Sequence, residues 1–196
     1  MKAWRKKTQV RLSGEVESDE VYVEAGRKGN SEAVKREGRK GRRRALKGNR
    51  GRGTSATEKP PIFGMIQRSG EVSIQMTANV RQASIRPLIS AGAEPGTQIY
   101  TDEYAICSRP EERGFQHKTV NHGSGEYARD EYGDGFCEVH VNTVEGVWSP
   151  LRSWLRPHRG ISQGKPPLYP AFSEFLHNAG KRGKAVLHSL IEVSVR

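Results

Sequence analysis

The pattern of apolar and polar positions predicts a strand close to the start of the sequence. Residues 14–24 read GEVESDEVYVE, where positions 16, 18, 20 and 22 alternate with positions 17, 19, 21 and 23. Both sets mix apolar and polar side chains. Because successive side chains of a strand point to opposite faces, this mixed alternation predicts a strand over residues 14–24.

The next ordered segments predict a hairpin, a helix and two further strands. Residues 61–67 (PIFGMIQ) and 72–78 (VSIQMTA) are strand-like and are separated by Arg68, Ser69 and Gly70, which is typical of a β-hairpin. Residues 84–90 indicate a short helix interrupted by Pro87. Residues 96–101 (GTQIYT) predict a strand that runs directly into Asp102, residues 117–120 predict another strand, and residues 123–135 are polar and turn-rich.

Residues 142–155 predict an amphipathic helix, which Asn142 or Thr143 would cap. Its apolar stripe consists of Val144, Val147, Trp148, Leu151, Trp154 and Leu155. Residues 168–176 and 185–193 also have helical character. The order of strand, loop, hairpin, helix, strand and then helices predicts an α/β fold in which a mixed sheet has flanking helices.

Length and charge limit the class of protein. We expect one domain over residues 1–196 with a single core, because 196 residues are too few for two comfortable domains. The 33 Lys and Arg against 22 Asp and Glu give a formal charge of +11, which favours a polyanionic partner. No stretch approaches the roughly 20 apolar residues of a membrane span, and MKAWRKKTQV lacks the apolar core of a signal peptide. We therefore expect a cytoplasmic, nucleoid-associated protein with no membrane partner.

Most of the excess charge lies in one segment. Residues 26–57 are rich in Gly, Arg, Lys, Ser and Asn, so we expect a mobile basic loop. Twelve Lys and Arg between Arg27 and Arg52 would neutralise DNA phosphates without reading bases. The candidate DNA-binding residues are Arg39, Lys40, Arg42, Arg43, Arg44, Lys47, Arg50, Arg52, His140 and Arg152. The two cysteines, Cys107 and Cys137, show no Cys-x-x-Cys pairing and predict neither a zinc site nor a disulfide.

Three carboxylates are the candidates for catalytic chemistry. Asp19 lies in an apolar strand, where burial would require a neutralising cation; the alternative is a solvent-facing strand position for Asp19 or Glu20. Asp102 lies at the carboxyl end of a strand, the usual position of ligand sites in open α/β sheets; the alternative is a cap for a helix starting at Glu103. Glu145 lies in the first turn of the predicted helix, a position that the helix dipole alone would favour.

Two other side chains have both a functional and a structural interpretation. Arg152 lies seven residues beyond Glu145, so it shares roughly one helix face with it and would hold a DNA phosphate there. The alternative for Arg152 is a solvated side chain or an ion pair. His140 precedes the helix, and either it contacts phosphate or orients a water, or it has a structural role.

Together these motifs resemble the ISXO-type insertion-sequence transposases of the DDE superfamily. The resemblance rests on SDEVYV, TDEY and HVNTVEGVWSPLR in this order and extends over about residues 12–175. It implies a ribonuclease-H-like fold with Asp19 on the first strand, Asp102 on the fourth and the third ligand on a later helix. It also implies two Mg²⁺ or Mn²⁺ ions bound by Asp19, Asp102 and Glu145, with Asn142 as the competing third ligand. Arg152 would take the place of the basic residue that follows the third acid in this family.

The activity that the resemblance implies is two-metal phosphoryl transfer on DNA. A strand is cleaved at a transposon end to give a 3′-hydroxyl, which is then joined to target DNA by a homo-oligomer. Such transposases also carry an N-terminal DNA-reading portion, often a zinc ribbon, which we expect to be missing because there is no Cys-x-x-Cys; residues 177–196 diverge as a tail. The alternatives are a catalytically decayed remnant that only binds DNA, or a ribonuclease-H-like nuclease.

Overall fold

The computed structural model describes residues 10–26, 31–36, 59–102, 114–158, 161–162 and 167–183. The strands are β1 (Glu15–Tyr22), β2 (Ala25–Gly26), β3 (Pro61–Gln67), β4 (Val72–Met76), β5 (Gln98–Asp102), β6 (Gln116–Val120), β7 (Ala128–Arg129), β8 (Val139–His140) and β9 (Ile161–Ser162). The helices are α1 (Ser31–Arg36), α2 (Gln82–Gly92), α3 (Asn142–Leu155) and α4 (Leu168–Arg182), with short 3₁₀ turns at His122–Ser124 and Arg156–His158.

The main sheet has five strands in the order β4-β3-β1-β5-β6. Strand β3 is antiparallel to both β1 and β4, whereas β1, β5 and β6 run parallel. The first and fourth strands of this sheet are therefore neighbours, with β1 at the centre. This five-stranded mixed sheet with flanking helices confirms the expected α/β fold.

Strand β1 is buried on both faces, which explains why its two alternating sets of side chains are both mixed. On one face Val21 packs in an apolar cluster with Trp148 and other residues of α3. On the other face Val16 packs in a second cluster with Ile85 and Ile89 of α2. A sheet covered on both sides needs apolar residues at odd and even positions alike. A polar residue of β1 that is buried in this way therefore indicates a specific hydrogen-bonding or ion-pair partner.

The predicted hairpin and helices form with small differences in extent. The β3–β4 connection closes with a hydrogen bond from Gly70 N–H to the carbonyl of Gln67 at 2.8 Å, as expected. Helix α2 continues through Pro87 instead of being interrupted there. The proline is exposed, and the burial of Ile85 and Ile89 against the sheet stabilises the helix on either side of it.

The basic segment is not entirely loop. Residues 31–36 form α1, so the loop prediction is wrong for these six residues. Its acidic first turn and basic last turn complement the helix dipole, and Lys35 pairs with Glu32 at 3.2 Å. The candidate DNA contacts between Arg39 and Arg52 lie outside the described residues.

Helix α4 covers the outer edge of the sheet through its polar side chains. Asn178 accepts from Val72 N–H and donates to Val72 C=O, both at 2.8 Å, and Glu174 accepts from Ile74 N–H at 2.6 Å. Both side chains are buried. They satisfy backbone groups that an edge strand would otherwise offer to another chain. The helix consequently extends to Arg182, beyond the 168–176 segment that the sequence predicts.

Replacing Asn178 by Ala should destabilise the domain by about 2 kcal/mol, because it leaves the buried N–H and C=O of Val72 without partners. Urea denaturation monitored by circular dichroism measures the change. Leu176→Ala on the same helix is the control, since Leu176 is 55% exposed and should lose well under that amount. An unchanged urea midpoint for Asn178→Ala would contradict the edge-covering role of α4.

Candidate active site

The parallel pairing of β1 and β5 brings two aspartates to the same level of the sheet. Glu15 pairs with Gln98 and Glu17 with Tyr100, and Asp19 and Asp102 each lie two residues beyond this last pair. Residues at one level of neighbouring parallel strands share a face. Asp19 therefore lies near Asp102 at the carboxyl end of β5, and after burial the charge of Asp102 is one of the causes that raise the pKa of Asp19.

Asp19 is held in a partly buried position by neutral donors. Burial, with smaller contributions from the charges of Asp102 and Glu145, raises its pKa from an ordinary value of 3.8 to about 6. The indole Nε1–H of Trp148 donates to Asp19 Oδ2 at 2.9 Å. Within the described parts of the chain Asp19 has no ion pair, so the cation expected from the sequence is not supplied there by a protein side chain. A carboxylate in this setting favours an external cation.

The position of Trp148 depends on a glycine in the neighbouring strand. Gly64 pairs with Asp19 across β1 and β3. A Cβ at Gly64 would lie only 2.3 Å from Cη2 of the indole, so the ring packs directly on the backbone of β3. Trp148 is fully buried in this arrangement. The apolar stripe in the sequence accounts for the burial of Trp148 but not for its hydrogen bond; a glycine in the interior of a buried strand is the available signal for the close contact.

Replacing Gly64 by Ala should cost about 2 kcal/mol of folding stability, because the added methyl group overlaps the indole in a closely packed core. Gly146→Ala is a matched control, since the Cβ that it would add in α3 meets nothing within 4 Å beyond its chain neighbours and the backbone of its own helix, and it should be neutral or stabilising. Urea denaturation read by tryptophan fluorescence compares the two variants. Equal midpoints for both would show that Gly64 does not hold Trp148 in place.

Glu145 and Asn142 both lie at the start of α3 and are exposed. The charge of Glu145 contributes to the raised pKa of Asp19, which places this carboxylate in the electrostatic environment of the aspartate pair. Within the described residues, no three His, Cys, Asp or Glu side chains lie close enough together to hold a metal ion. Asp19, Asp102 and Glu145 therefore do not form a preassembled three-ligand site in this structure.

The start of α3 is capped by a residue from β1, and not by Asn142 or Thr143 as the sequence suggested. Glu17 is fully buried and accepts from the backbone N–H groups of Thr143 at 2.8 Å and Val144 at 3.0 Å. The Thr143 hydroxyl itself donates to Glu17 at 2.8 Å. Arg68 supplies the compensating charge, with its Nε 2.9 Å from Glu17 Oε1. Sequence reasoning missed this role, because the contact joins residues far apart in the chain.

Comparison with known proteins assigns the family. The model of the ISXO2-like transposase domain matches residues 11–176. The chain belongs to this family. The transposase domain is also 36% identical over 187 residues to an uncharacterized protein in transposable element ISH50 of Halobacterium salinarum (strain ATCC 700922 / JCM 11081 / NRC-1). That match covers 94% of this chain, which spans 59% of the relative's length.

Among solved structures, the transposase domain is similar to a chain from the cryo-EM structure of a simian T-cell lymphotropic virus intasome in complex with PP2A regulatory subunit B56 gamma. The TM-score is 0.43 at 10% sequence identity, and the match covers 85% of this chain and 48% of the other. The family match, by contrast, confirms the resemblance to ISXO-type transposases that SDEVYV, TDEY and HVNTVEGVWSPLR indicated.

Two of the expected DNA contacts of the transposase domain lie in the described residues. Arg152 is exposed on α3. His140 is partly buried, with Nδ1 3.2 Å from Glu17 Oε1, and its carbonyl accepts from Arg68 at 3.1 Å. His140 therefore contacts the network that holds α3. None of the described helices is long and apolar enough to cross a membrane.

Proposed function

We propose that this transposase domain cleaves and joins DNA strands by metal-dependent phosphoryl transfer, with Asp19, Asp102 and Glu145 as the ligands of two Mg²⁺ or Mn²⁺ ions. The observation that carries the proposal is that Asp19 on β1 and Asp102 at the end of the neighbouring parallel strand β5 lie close enough to interact electrostatically, in a setting where burial is the main cause of the raised pKa of Asp19, about 6. Two neighbouring carboxylates in a partly buried position repel each other unless a cation lies between them.

The donor set suits a hard divalent cation. All three proposed ligands are carboxylates, and Mg²⁺ prefers oxygen ligands of this kind, few in number and with water retained. Held by these carboxylates, such ions would lower the pKa of the attacking water or hydroxyl and stabilise the leaving oxygen. Asn142 is the alternative third ligand, since its side-chain oxygen is also a hard donor at the start of α3.

The chain's own side chains prepare the site for this chemistry. The hydrogen bond from Trp148 fixes Asp19 through Oδ2, so the orientation of this carboxylate is set before DNA binds. Arg152, exposed on the same helix as Glu145, would hold a phosphate beside the acids. The basic residues between Arg39 and Arg52, together with His140, would neutralise further phosphates of transposon ends and target.

The reaction consists of two chemically similar displacements. In the first, a water oxygen attacks the phosphorus at a transposon end, and the bond from phosphorus to the 3′ oxygen breaks, which leaves a 3′-hydroxyl and a 5′-phosphate. In the second, that 3′ oxygen attacks a phosphodiester of target DNA, and a target 3′-hydroxyl leaves. No protein nucleophile is required in either step. Joining two ends to one target calls for a homo-oligomer on the DNA.

Incubation with supercoiled plasmid tests this function. The proposal predicts nicked and joined products in Mg²⁺ or Mn²⁺ that disappear with EDTA. Glu145→Gln and Asn142→Ala identify the third ligand, because only the true ligand should be needed for cleavage. DNA that is bound but never cut would support a non-catalytic binding module instead, and nicking without any joined product would support a nuclease.

A further inference from the structure

The carboxylate of Glu17 is a buried charge that the proposed chemistry does not use. It is 0% exposed and it is held on all sides: by two backbone N–H groups of α3, by the Thr143 hydroxyl and by the Arg68 guanidinium. Burying a carboxylate is costly unless it is paired and hydrogen-bonded, and both conditions are met here. An apolar residue at position 17 could pack against α3 but could not fix its orientation through hydrogen bonds.

Glu17 contacts the same helix, α3, that carries the proposed ligand Glu145 and that contacts the proposed ligand Asp19. Glu17 and Asp19 are two residues apart on β1, so they share one face of the strand. Glu17 binds the N–H groups of Thr143 and Val144, while Asp19 binds Trp148 one turn further along the same helix. Both ends of this stretch of α3 are therefore fixed to β1, and Glu145 lies between them.

Arg68 connects Glu17 to the residues just before α3 and to β5. Its Nε pairs with Glu17 and another guanidinium nitrogen donates to the carbonyl of His140, two residues before α3. The guanidinium also lies 4.1 Å from the centre of the Tyr100 ring, which belongs to the strand that carries Asp102. The start of α3, β1 and β5 thus meet at one buried ion pair.

We propose that Glu17 is a positioning residue, whose buried carboxylate fixes the start of α3 and thereby sets Glu145 relative to Asp19 and Asp102. This inference rests on the proposed function, because it takes Glu145 as a metal ligand. Residues that orient metal ligands typically change metal affinity by about 10–100-fold when they are replaced. Glu17 should behave in this way although it does not contact the metal.

The test is a double-mutant cycle on Mn²⁺ affinity, which needs no DNA and no turnover. Glu17→Gln keeps the shape of the side chain and removes its charge, and should weaken Mn²⁺ binding by about tenfold. In the Glu145→Gln background the same change should have an effect close to onefold, because the ligand it positions is gone. Thr143→Val, which removes one donor to Glu17, provides a milder variant if Glu17→Gln folds poorly, and should weaken binding in the same direction.

Glu71→Gln is the matched control. It removes the charge of a glutamate in the β3–β4 connection that pairs with Arg182 of α4. Among the described residues Glu71 has no hydrogen bond or ion pair to α3, so Mn²⁺ affinity should stay unchanged. Equal fold-changes for Glu17→Gln in both backgrounds, or a folded Glu17→Gln protein with wild-type affinity, would overturn the positioning role. If Glu145→Gln alone has no effect, the assignment of Glu145 fails and the positioning role fails with it. If Asp102→Asn also has no effect, the proposed function itself fails.

Discussion

Replacing Asp102 by Asn should lower the rate of metal-dependent DNA cleavage at least about 100-fold, equivalent to roughly 3 kcal/mol of transition-state stabilisation. The substitution keeps the size of the side chain and removes a negative ligand at the end of β5, beside Asp19. Two-metal catalysis depends on this charge, because the carboxylates hold the ions that neutralise the phosphate. The initial rate of plasmid nicking in Mg²⁺ measures the effect.

Glu94→Gln serves as the control for Asp102→Asn. Glu94 is an exposed acid in the connection before β5, and its replacement removes the same unit of charge away from the aspartate pair. It should leave the nicking rate within about twofold of the wild type, as expected for a surface position. If Asp102→Asn cleaves as fast as Glu94→Gln, Asp102 has no part in catalysis.

The second large effect is on stability, where Asp19→Asn should make the protein more stable at neutral pH. Burial raises the pKa of Asp19 from 3.8 to about 6, so the folded state holds this proton more tightly than the unfolded state does. Stability contributed by the protonated carboxyl is therefore lost as the pH rises from about 4 to 6. Above that window the ionised side chain costs on the order of 3 kcal/mol, at 1.36 kcal/mol per pKa unit. Asn does not ionise and avoids this cost.

Urea denaturation at pH 4 and pH 7.5 measures this effect. The stability gain of Asp19→Asn over wild type should be large at pH 7.5 and small at pH 4. Added Mg²⁺ should stabilise the wild type at pH 7.5 and leave Asp19→Asn nearly unchanged, because a ligand that binds only the folded state raises its stability. A gain of the same size at both pH values would mean that Asp19 is not destabilised by ionisation.

Local patterns predicted most of the secondary structure correctly. The alternation around Asp19 gave β1, the spacer at residues 68–70 gave the hairpin, and the apolar stripe gave α3 with both of its ends. The extent of α4 was not predictable in this way. Glu174 and Asn178 are polar and read as solvated helix positions, whereas they are buried on the backbone of β4.

The candidate site was also predictable only in part, because some of its contacts join residues that are far apart in the sequence. Asp19 and Asp102 stand out locally, because each is a carboxylate carried by an apolar strand. The role of Glu17 depends on contacts with Thr143 and Val144, more than a hundred residues away in the chain. The alternation along β1 shows that Glu17 shares a face with Asp19, but only the packing of α3 distinguishes a residue that holds the helix from one that faces the metal.

The central claim is that Asp19 and Asp102 bind a catalytic divalent cation. The most direct test is to measure DNA cleavage by an Asp102→Cys variant. A thiolate is a poor ligand for Mg²⁺ and a good one for softer ions such as Cd²⁺. We predict that Asp102→Cys does not nick plasmid DNA in Mg²⁺ and recovers nicking when Cd²⁺ is added, whereas Asp102→Ser recovers nothing. Wild-type nicking by Asp102→Cys in Mg²⁺ alone, or equal responses of the Cys and Ser variants to Cd²⁺, would contradict a metal bound at Asp102.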